Sequence, residues 1–278
     1  MTREEARARF MALAGRSDAC PALDRAALLI AAEEHPLLEV DVWIGRLDEI
    51  AMAARRHDRP ERPPHMRVLA LAEWLSSEMG FHGNESNYND VRNSYLHEVI
   101  DRRTGIPITL SVIYIEIARR LGFELRGVGM PGHFLVKCRD EEREILLDPF
   151  NGGRLLSMED CREMVDRMYG GSMPFRAEFL AAVTTRQILT RMLQNLKSIY
   201  LNAKDHARTL SVIERVLILN PDLVTEIRDR GLVCLGMGRY AQARIDLEDY
   251  LRRSPQAGDA RRIREQLTQL KQKQARLN

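Results

Sequence analysis

The stretch GIPITLSVIYIEIARRLG at residues 105–122 decides the fold of this chain. Its apolar residues recur every three or four positions, which predicts a buried helix over 110–121. Thr109 is a suitable N-cap for that helix, and Gly122 is expected to end it. The neighbouring elements are predicted to pack around this core helix.

Two short motifs follow the helix, PGH at 131–133 and LDP at 147–149. They predict a strand that carries His133 and a second strand that ends at Asp148. A core helix, then a histidine, then an acid is the order found in cysteine hydrolases, where the histidine is the base and the acid orients it. No cysteine stands at the start of the helix, so the sequence leaves open whether any chemistry remains.

The flanking sequence predicts an α+β domain. Helical periodicity dominates residues 4–79, and short β-like segments occupy 124–128, 134–138 and 144–147. The charged segment 139–143 is expected to join the last two as a hairpin. The prediction is a small antiparallel sheet packed against helices.

A loop of turn-forming residues, FHGNESNYND, occupies positions 81–90. Asn89 or Asp90 can cap a following helix that runs to about Asp101. The loop is rich in side-chain oxygens, but it lacks the alternate-residue spacing and the final glutamate of a calcium loop. We therefore predict an ordered or ligand-binding loop and no metal site.

The C-terminal third is continuously helical in pattern and contains a repeat, marked by NPD at 220–222 and SPQ at 254–256. Pro221 and Pro255 are 34 residues apart, which is the period of tetratricopeptide repeats. We predict two units, 190–223 and 224–257, and a final helix over 259–275 that caps the stack.

Equivalent positions of the two units can be compared directly. The pairs are Lys197 with Gly231, Thr209 with Ala243 and Ile213 with Leu247. The second unit fits the repeat pattern well and the first fits it loosely, because a lysine stands where a small residue is usual. The chain is thus predicted to comprise one domain over 1–178 and an all-α repeat domain over 179–278.

Composition excludes several classes of function. Lys and Arg number 42 against 40 Asp and Glu, so no overall basic field favours nucleic acid. The first residues lack the pattern of a signal peptide, and the apolar runs are too short to span a bilayer. The 4 cysteines form no CxxC pair, which favours a reducing compartment, and we predict a cytoplasmic protein.

Several segments, in the right order, resemble the SirB1 family, which combines a transglutaminase-like domain with tetratricopeptide repeats. These segments are FHGN at 81–84, YNDVRNSYL at 88–96, RRTGIPITLS at 102–111, PGHF at 131–134 and DPF at 148–150. The resemblance extends from about Ala26 to the last repeat. It implies a helix-rich, papain-like α+β domain followed by helical repeats.

The resemblance also implies a Cys-His-Asp triad, and His133 and Asp148 match its last two members. The cysteine position falls near Pro107, which has no reactive group. Thr109 and Ser111 carry the nearest hydroxyls, and a hydroxyl there needs stronger general-base help than a thiol. Ser111 could reach His133 or could instead bond to backbone.

The sequence offers further candidates for the same site, namely polar and small residues for a pocket and four cysteines. Asn93, Thr109 and Gly132 are candidates to line a retained pocket. Cys138, five residues after His133, is expected to point to the opposite face of its strand. Cys20, Cys161 and Cys234 lie in helix-like contexts, where a core or surface role is the simplest interpretation.

Two functions follow from this sequence. The first is a non-catalytic protein-interaction or regulatory module, whose partner is a protein or peptide bound by the repeats. The second is a hydrolase or amide-processing enzyme that uses His133 and Asp148 with a displaced nucleophile such as Ser111. Neither requires a cofactor or a metal, and neither predicts binding to nucleic acid or membrane. The sequence leaves the oligomeric state open.

Overall fold

The computed structural model describes residues 1–15, 22–140 and 143–277. Cys20 and the tip of the predicted 139–143 turn lie outside these residues. The chain divides into two compact units, Met1–Met192 and Leu193–Asn278. The domain boundary near residue 178 stays a prediction.

Helices dominate the first unit. They are α1 (Arg3–Ala14), α2 (Leu23–Ala32), α3 (Val40–Ala54), α4 (Pro64–Glu73), α5 (Leu96–Arg102), α6 (Pro107–Arg120) and α7 (Met158–Tyr169). Helix α4 continues directly into a π-helix, Trp74–Glu78. A 3-10 turn, Val91–Ser94, precedes α5, and Asp90 caps this turn by accepting from the Arg92 amide.

The core helix α6 begins at Pro107, three residues before the predicted start at Leu110. Pro107 occupies its first position, where the missing amide hydrogen of proline costs nothing and its fixed φ suits the helix. Thr109 is therefore not the N-cap, which corrects the prediction. Ile106 precedes the helix instead, and its amide donates to Thr109 Oγ1 at 3.2 Å. At the other end Gly122 has φ +82°, the left-handed conformation expected of a residue that ends a helix.

The sheet has four antiparallel strands in the order β3-β4-β5-β6. They are β3 (Arg126–Val128), β4 (Leu135–Asp140), β5 (Arg143–Asp148) and β6 (Arg154–Leu156). The first three correspond to the predicted segments, and β6 was not predicted. The inner face of the sheet packs on a core cluster that includes Val128, Leu135 and Leu146. The predicted α+β organisation is confirmed.

A second, two-stranded pairing lies beside the start of α6. Strand β1 (His82–Gly83) runs parallel to β2 (Thr104–Gly105), and Gly83 pairs with Gly105. Neither strand was predicted, because two residues are too few to show a period. The pairing fixes the loop that follows Gly83 against the residues that lead into α6.

Helix α8 (Thr185–Asn202) begins in the first unit and ends in the second. The remaining helices are α9 (His206–Leu219), α10 (Val224–Gly236), α11 (Tyr240–Arg253) and α12 (Ala260–Leu277). They form the predicted helix pairs with a final helix. Thr209, Ala243, Ile213 and Leu247 are all fully buried, as equivalent repeat positions should be.

The small-residue position of the repeat differs between the two units. A Cβ on Gly231 would lie 2.9 Å from Leu247 Cδ2 in the same helix pair, so a small residue is required there. Lys197 takes this position in the first repeat. Its ammonium donates to Glu226 and Asp229 of α10, both at 2.6 Å. The loose fit of the first repeat thus reflects an ion pair in place of close packing.

Candidate functional site

His133 lies in a turn just before β4, not on a strand as predicted. The His133 amide donates to the Met130 carbonyl at 3.1 Å, which closes the turn. Gly132 has φ +71°, and a Cβ there would lie 1.7 Å from the Met168 sulfur. The left-handed backbone favours glycine at this position, whereas the half-exposed Met168 side chain could move aside.

The His133 ring pairs with Asp148. Nε2 lies 2.9 Å from Asp148 Oδ2, and both residues are buried. Asp148 also accepts from the Phe150 and Asn151 amides and from Asn151 Nδ2. Burial by itself would raise the pKa of Asp148, but the bonds from His133 and Asn151 leave it below its usual value. An ionised Asp148 requires the proton on Nε2, so Nδ1 of the neutral ring carries a lone pair.

In the part of the chain that the structure describes, no hydroxyl or thiol bonds to the other nitrogen of His133. Thr109 Oγ1 donates to the Asn93 carbonyl at 2.7 Å and to the Ile106 carbonyl at 3.1 Å. Ser111 is completely buried, and its Oγ has no hydrogen-bond partner among the residues that the structure describes. Both candidate hydroxyls, those of Thr109 and Ser111, are thus buried, and neither is hydrogen-bonded to His133.

A series of three contacts links the residues before α6 to the His133 ring. Gly83, paired with Gly105, lies so close to Phe150 that a Cβ on it would be 2.6 Å from the ring. The Phe150 ring meets the His133 ring edge-on, with centroids 6.1 Å apart. Pro107, the implied nucleophile position, follows Gly105 by two residues and lacks both a reactive side chain and an amide hydrogen.

The cysteines that the structure describes lie in apolar surroundings. Cys138, Cys161 and Cys234 are all free and buried. Burial raises the pKa of the Cys138 and Cys161 thiols to about 11, and nearby carboxylates add to the shift. Thiols with such pKa values carry almost no thiolate near neutral pH, so they are poor nucleophiles.

Asn93 organises the loop beside the site. Its Nδ2 donates to the carbonyls of Asn87 and Tyr88, and its Oδ1 accepts from Asn84 Nδ2 at 3.1 Å. The amide is thereby fully engaged within the fold. The loop presents Tyr88, which is 44% exposed and meets Phe150 edge-on at 6.0 Å. Tyr88, Phe150 and His133 thus form a row of rings.

Arg191, at α8, supports the turn that carries His133 and was missed by the sequence analysis. Its guanidinium donates to the Met130 carbonyl at 3.0 Å and to the His133 carbonyl at 3.1 Å. It also lies over the Phe134 ring, 5.9 Å from the centroid. Nothing in the sequence distinguishes this arginine from the many others, because its partners are backbone atoms.

Within residues 1–15, 22–140 and 143–277, no three His, Cys, Asp or Glu side chains are grouped to hold a metal ion. The same residues include no helix that is both long and apolar enough to cross a bilayer. The site comprises the His133–Asp148 pair, the row of rings and the turn that Arg191 holds.

The fold and the site define a transglutaminase-like domain followed by tetratricopeptide repeats. The family model of the transglutaminase-like superfamily matches residues 42–194, and a tetratricopeptide-repeat model matches residues 196–268. No solved structure matches the chain significantly.

Related proteins agree with both matches. A UPF0162 protein of Xylella fastidiosa is 38% identical over 247 residues, which cover 88% of each chain. A UPF0162 protein of Pseudomonas aeruginosa is 31% identical over 90% of this chain and 91% of its own. This chain belongs to the UPF0162 family of transglutaminase-like proteins. The predicted SirB1-type combination of domains is thereby confirmed.

A further similarity covers less than half of this chain. F-box only protein 21 of Mus musculus is 33% identical over 133 residues, which are 45% of this chain and 20% of that protein.

Proposed function

We propose that this protein is a non-catalytic transglutaminase-like and tetratricopeptide protein that acts as a protein-interaction or regulatory module. The observation that carries the proposal is the His133–Asp148 pair at 2.9 Å, which has no hydroxyl or thiol on the other ring nitrogen among the described residues. The pair orders its turn, and its second ring nitrogen, Nδ1, has no nucleophile to activate in the described part of the chain.

Three further observations support the absence of catalysis. Pro107 supplies neither a nucleophile nor an amide hydrogen for an oxyanion at the head of α6. The described thiols have raised pKa values, as given above. Ser111, the candidate displaced nucleophile, has a buried Oγ without a partner, so His133 does not activate it in this arrangement.

The interaction role is supported by the repeats. Two helix pairs and the capping helix α12 form a short stack, and the concave face of such a stack can hold a peptide or a helix. We keep the prediction of a protein or peptide partner bound there. The cytoplasmic location also stays a prediction, because it depends on cysteine spacing alone.

The test is thiol labelling of a Pro107→Cys variant with iodoacetamide at neutral pH. The triad resemblance places this position beside the imidazole of His133, and a helix N-terminus favours a thiolate. We therefore expect the introduced thiol of this variant to have a lowered pKa and to react much faster than Cys138, Cys161 or Cys234. Adding His133→Ala to the same variant should slow the labelling. In the unmodified protein Cys138, Cys161 and Cys234 should all react slowly, and peptide mass spectrometry assigns each labelled position.

The enzymatic alternative makes an opposite prediction. Turnover of ester or amide substrates by the unmodified chain that disappears in His133→Ala would establish a hydrolase. We expect no such turnover. We expect His133→Ala to retain partner binding and to lower the free energy of unfolding only mildly, because Asp148 keeps its bonds from Asn151 and Phe150.

A further inference from the structure

Arg191 differs from other partly buried arginines of the first unit in its partners. Arg67 pairs with Asp58 through two hydrogen bonds, and Arg120 pairs with Asp24 at 2.7 Å. Arg191 bonds only to the carbonyls of Met130 and His133. No carboxylate among the described residues forms an ion pair with it. A guanidinium has five N–H donors, so Arg191 has three left.

The pKa of Arg191 also differs in direction from the pKa values of Arg67 and Arg120. Burial lowers the pKa of Arg191, whereas bonds to acids raise the pKa of Arg67 and Arg120. The ionisable groups that interact with Arg191 are the hydroxyls of Tyr88 and Tyr169. A partly desolvated cation without a counter-ion is costly, and an anion that binds beside it removes part of that cost.

The neighbouring Asp148 does not serve as this counter-ion. Its oxygens accept from His133, from Asn151 and from the Phe150 amide, and it is 1% exposed. Tyr88, in contrast, is 44% exposed, and no hydrogen bond to its hydroxyl is present among the described residues. The Arg191 guanidinium thus lies on the turn that carries His133, and the rings of Phe150 and Tyr88 follow the His133 ring. Burial raises the pKa of the Tyr88 hydroxyl, so this group stays a protonated donor.

We propose that the surface beside His133 binds a carboxylate presented by a partner peptide, with Arg191 as the counter-ion. The Tyr88 hydroxyl donates a further hydrogen bond, and the Tyr88 and Phe150 rings contact the residue that carries the carboxylate. A planar carboxylate suits the fork of a guanidinium, and an aromatic side chain suits the edges of the two rings. This inference depends on the proposed interaction role and names the chemistry of the partner at this site.

The experiment uses the full chain and two small probes. N-acetyl-phenylalanine carries a carboxylate and a ring, and N-acetyl-phenylalaninamide differs only in the absence of the charge. Each is titrated into isotope-labelled protein while the backbone amide signals of Gly132, His133 and Phe134 are followed by NMR. We expect saturable shifts with the acid and roughly tenfold weaker binding of the amide, because a charged hydrogen bond is lost.

Variants assign the effect to Arg191. Arg191→Met should weaken binding of the acid about tenfold or more, and Tyr88→Phe should weaken it several-fold without removing a ring. Arg126→Met is the matched control, because Arg126 is a surface arginine already paired with Glu124. It should leave binding unchanged. Tyr88→Phe keeps the test valid if Arg191→Met fails to fold.

Three results would overturn the inference: no saturable shift with the acid, equal binding of acid and amide, or binding of inorganic phosphate at the same amides more tightly than the acid. The last result would assign the site to a free oxyanion. None of these results affects the labelling of Pro107→Cys, so failure of this inference is distinguishable from failure of the proposed function.

Discussion

His97 is a buried imidazole in an aromatic cluster. Its ring lies 4.7 Å from the His35 ring and 5.5 Å from the Trp43 ring, measured between centroids. Nδ1 is buried without a hydrogen-bond partner, and the nearest acid is Glu98, 3.9 Å from Nε2. Burial, with repulsion from His35 as a smaller cause, lowers the pKa of His97 from 6.5 to about 4.

A histidine with a lowered pKa makes the fold sensitive to acid. Below pH 6.5 the unfolded chain binds a proton at His97 that the folded protein does not, so the free energy of unfolding falls as the pH decreases towards about 4. The loss at this residue amounts to about 3 kcal/mol. His97→Phe should remove this part of the pH dependence, as measured by urea unfolding at several pH values.

Trp43→Phe is the matched control for this experiment. It alters the same cluster without removing an ionisable group, so it should lower stability at every pH and keep the slope. If His97→Phe leaves the slope between pH 4 and 6.5 unchanged, the acid sensitivity belongs to other groups.

Between elements, the ion pairs of Lys197 connect α8 to α10. Lys197 and Glu226 are both buried, and their N–O distance is 2.6 Å. Removal of one partner leaves the other charge buried and uncompensated. We expect Lys197→Met to lower the free energy of unfolding by about 3 kcal/mol. A double-mutant cycle with Glu226→Gln, followed by chemical unfolding, measures the coupling between the two side chains.

Lys271 provides the comparison, because it pairs with Glu248 at 2.9 Å while both side chains are about half exposed. Lys271→Met should cost less than about 1 kcal/mol. Equal effects of the two substitutions would mean that Lys197 is effectively solvated and that the first repeat does not depend on its ion pair.

The elements were predictable where side chains show a long period. The core helix, the repeat helices and the β4–β5 hairpin follow from apolar spacing. The start of α6 was not predicted correctly, because Thr109 has the chemistry of an N-cap while Pro107 has the backbone for the first helical position. No periodic signal in the sequence marks the π-helix Trp74–Glu78 or the two-residue strands β1 and β2.

At the scale of the whole molecule, both units contain buried cysteines whose reactivity can be measured. Cys138 and Cys161 lie in the first unit and Cys234 in the second, and the pKa of each thiol is raised chiefly by burial. We expect all three to react slowly with a disulfide reagent at pH 8 in the folded protein and at once in guanidinium. Reaction in the folded state then reports the opening of each unit. Rapid native labelling of any one of them, located by mass spectrometry, would contradict this expectation.

The site was only partly predictable from sequence. His133 and Asp148 could be proposed because their motifs resemble a triad, and the structure brings their side chains together. The roles of Asn93 and Arg191 depend on backbone carbonyls that are distant in sequence from them. Such bonds carry no residue-type pattern, so the loop that presents Tyr88 and the arginine that holds the turn appear only in three dimensions.

Asn93 connects the loop that carries Tyr88 to the core helix α6 through hydrogen bonds. Its side chain holds the Tyr88 carbonyl, and its own carbonyl accepts from Thr109 in the first turn of α6. The position of the Tyr88 backbone and the first turn of α6 therefore depend on the same residue. Loss of Asn93 would free the loop and the core helix from each other at one step.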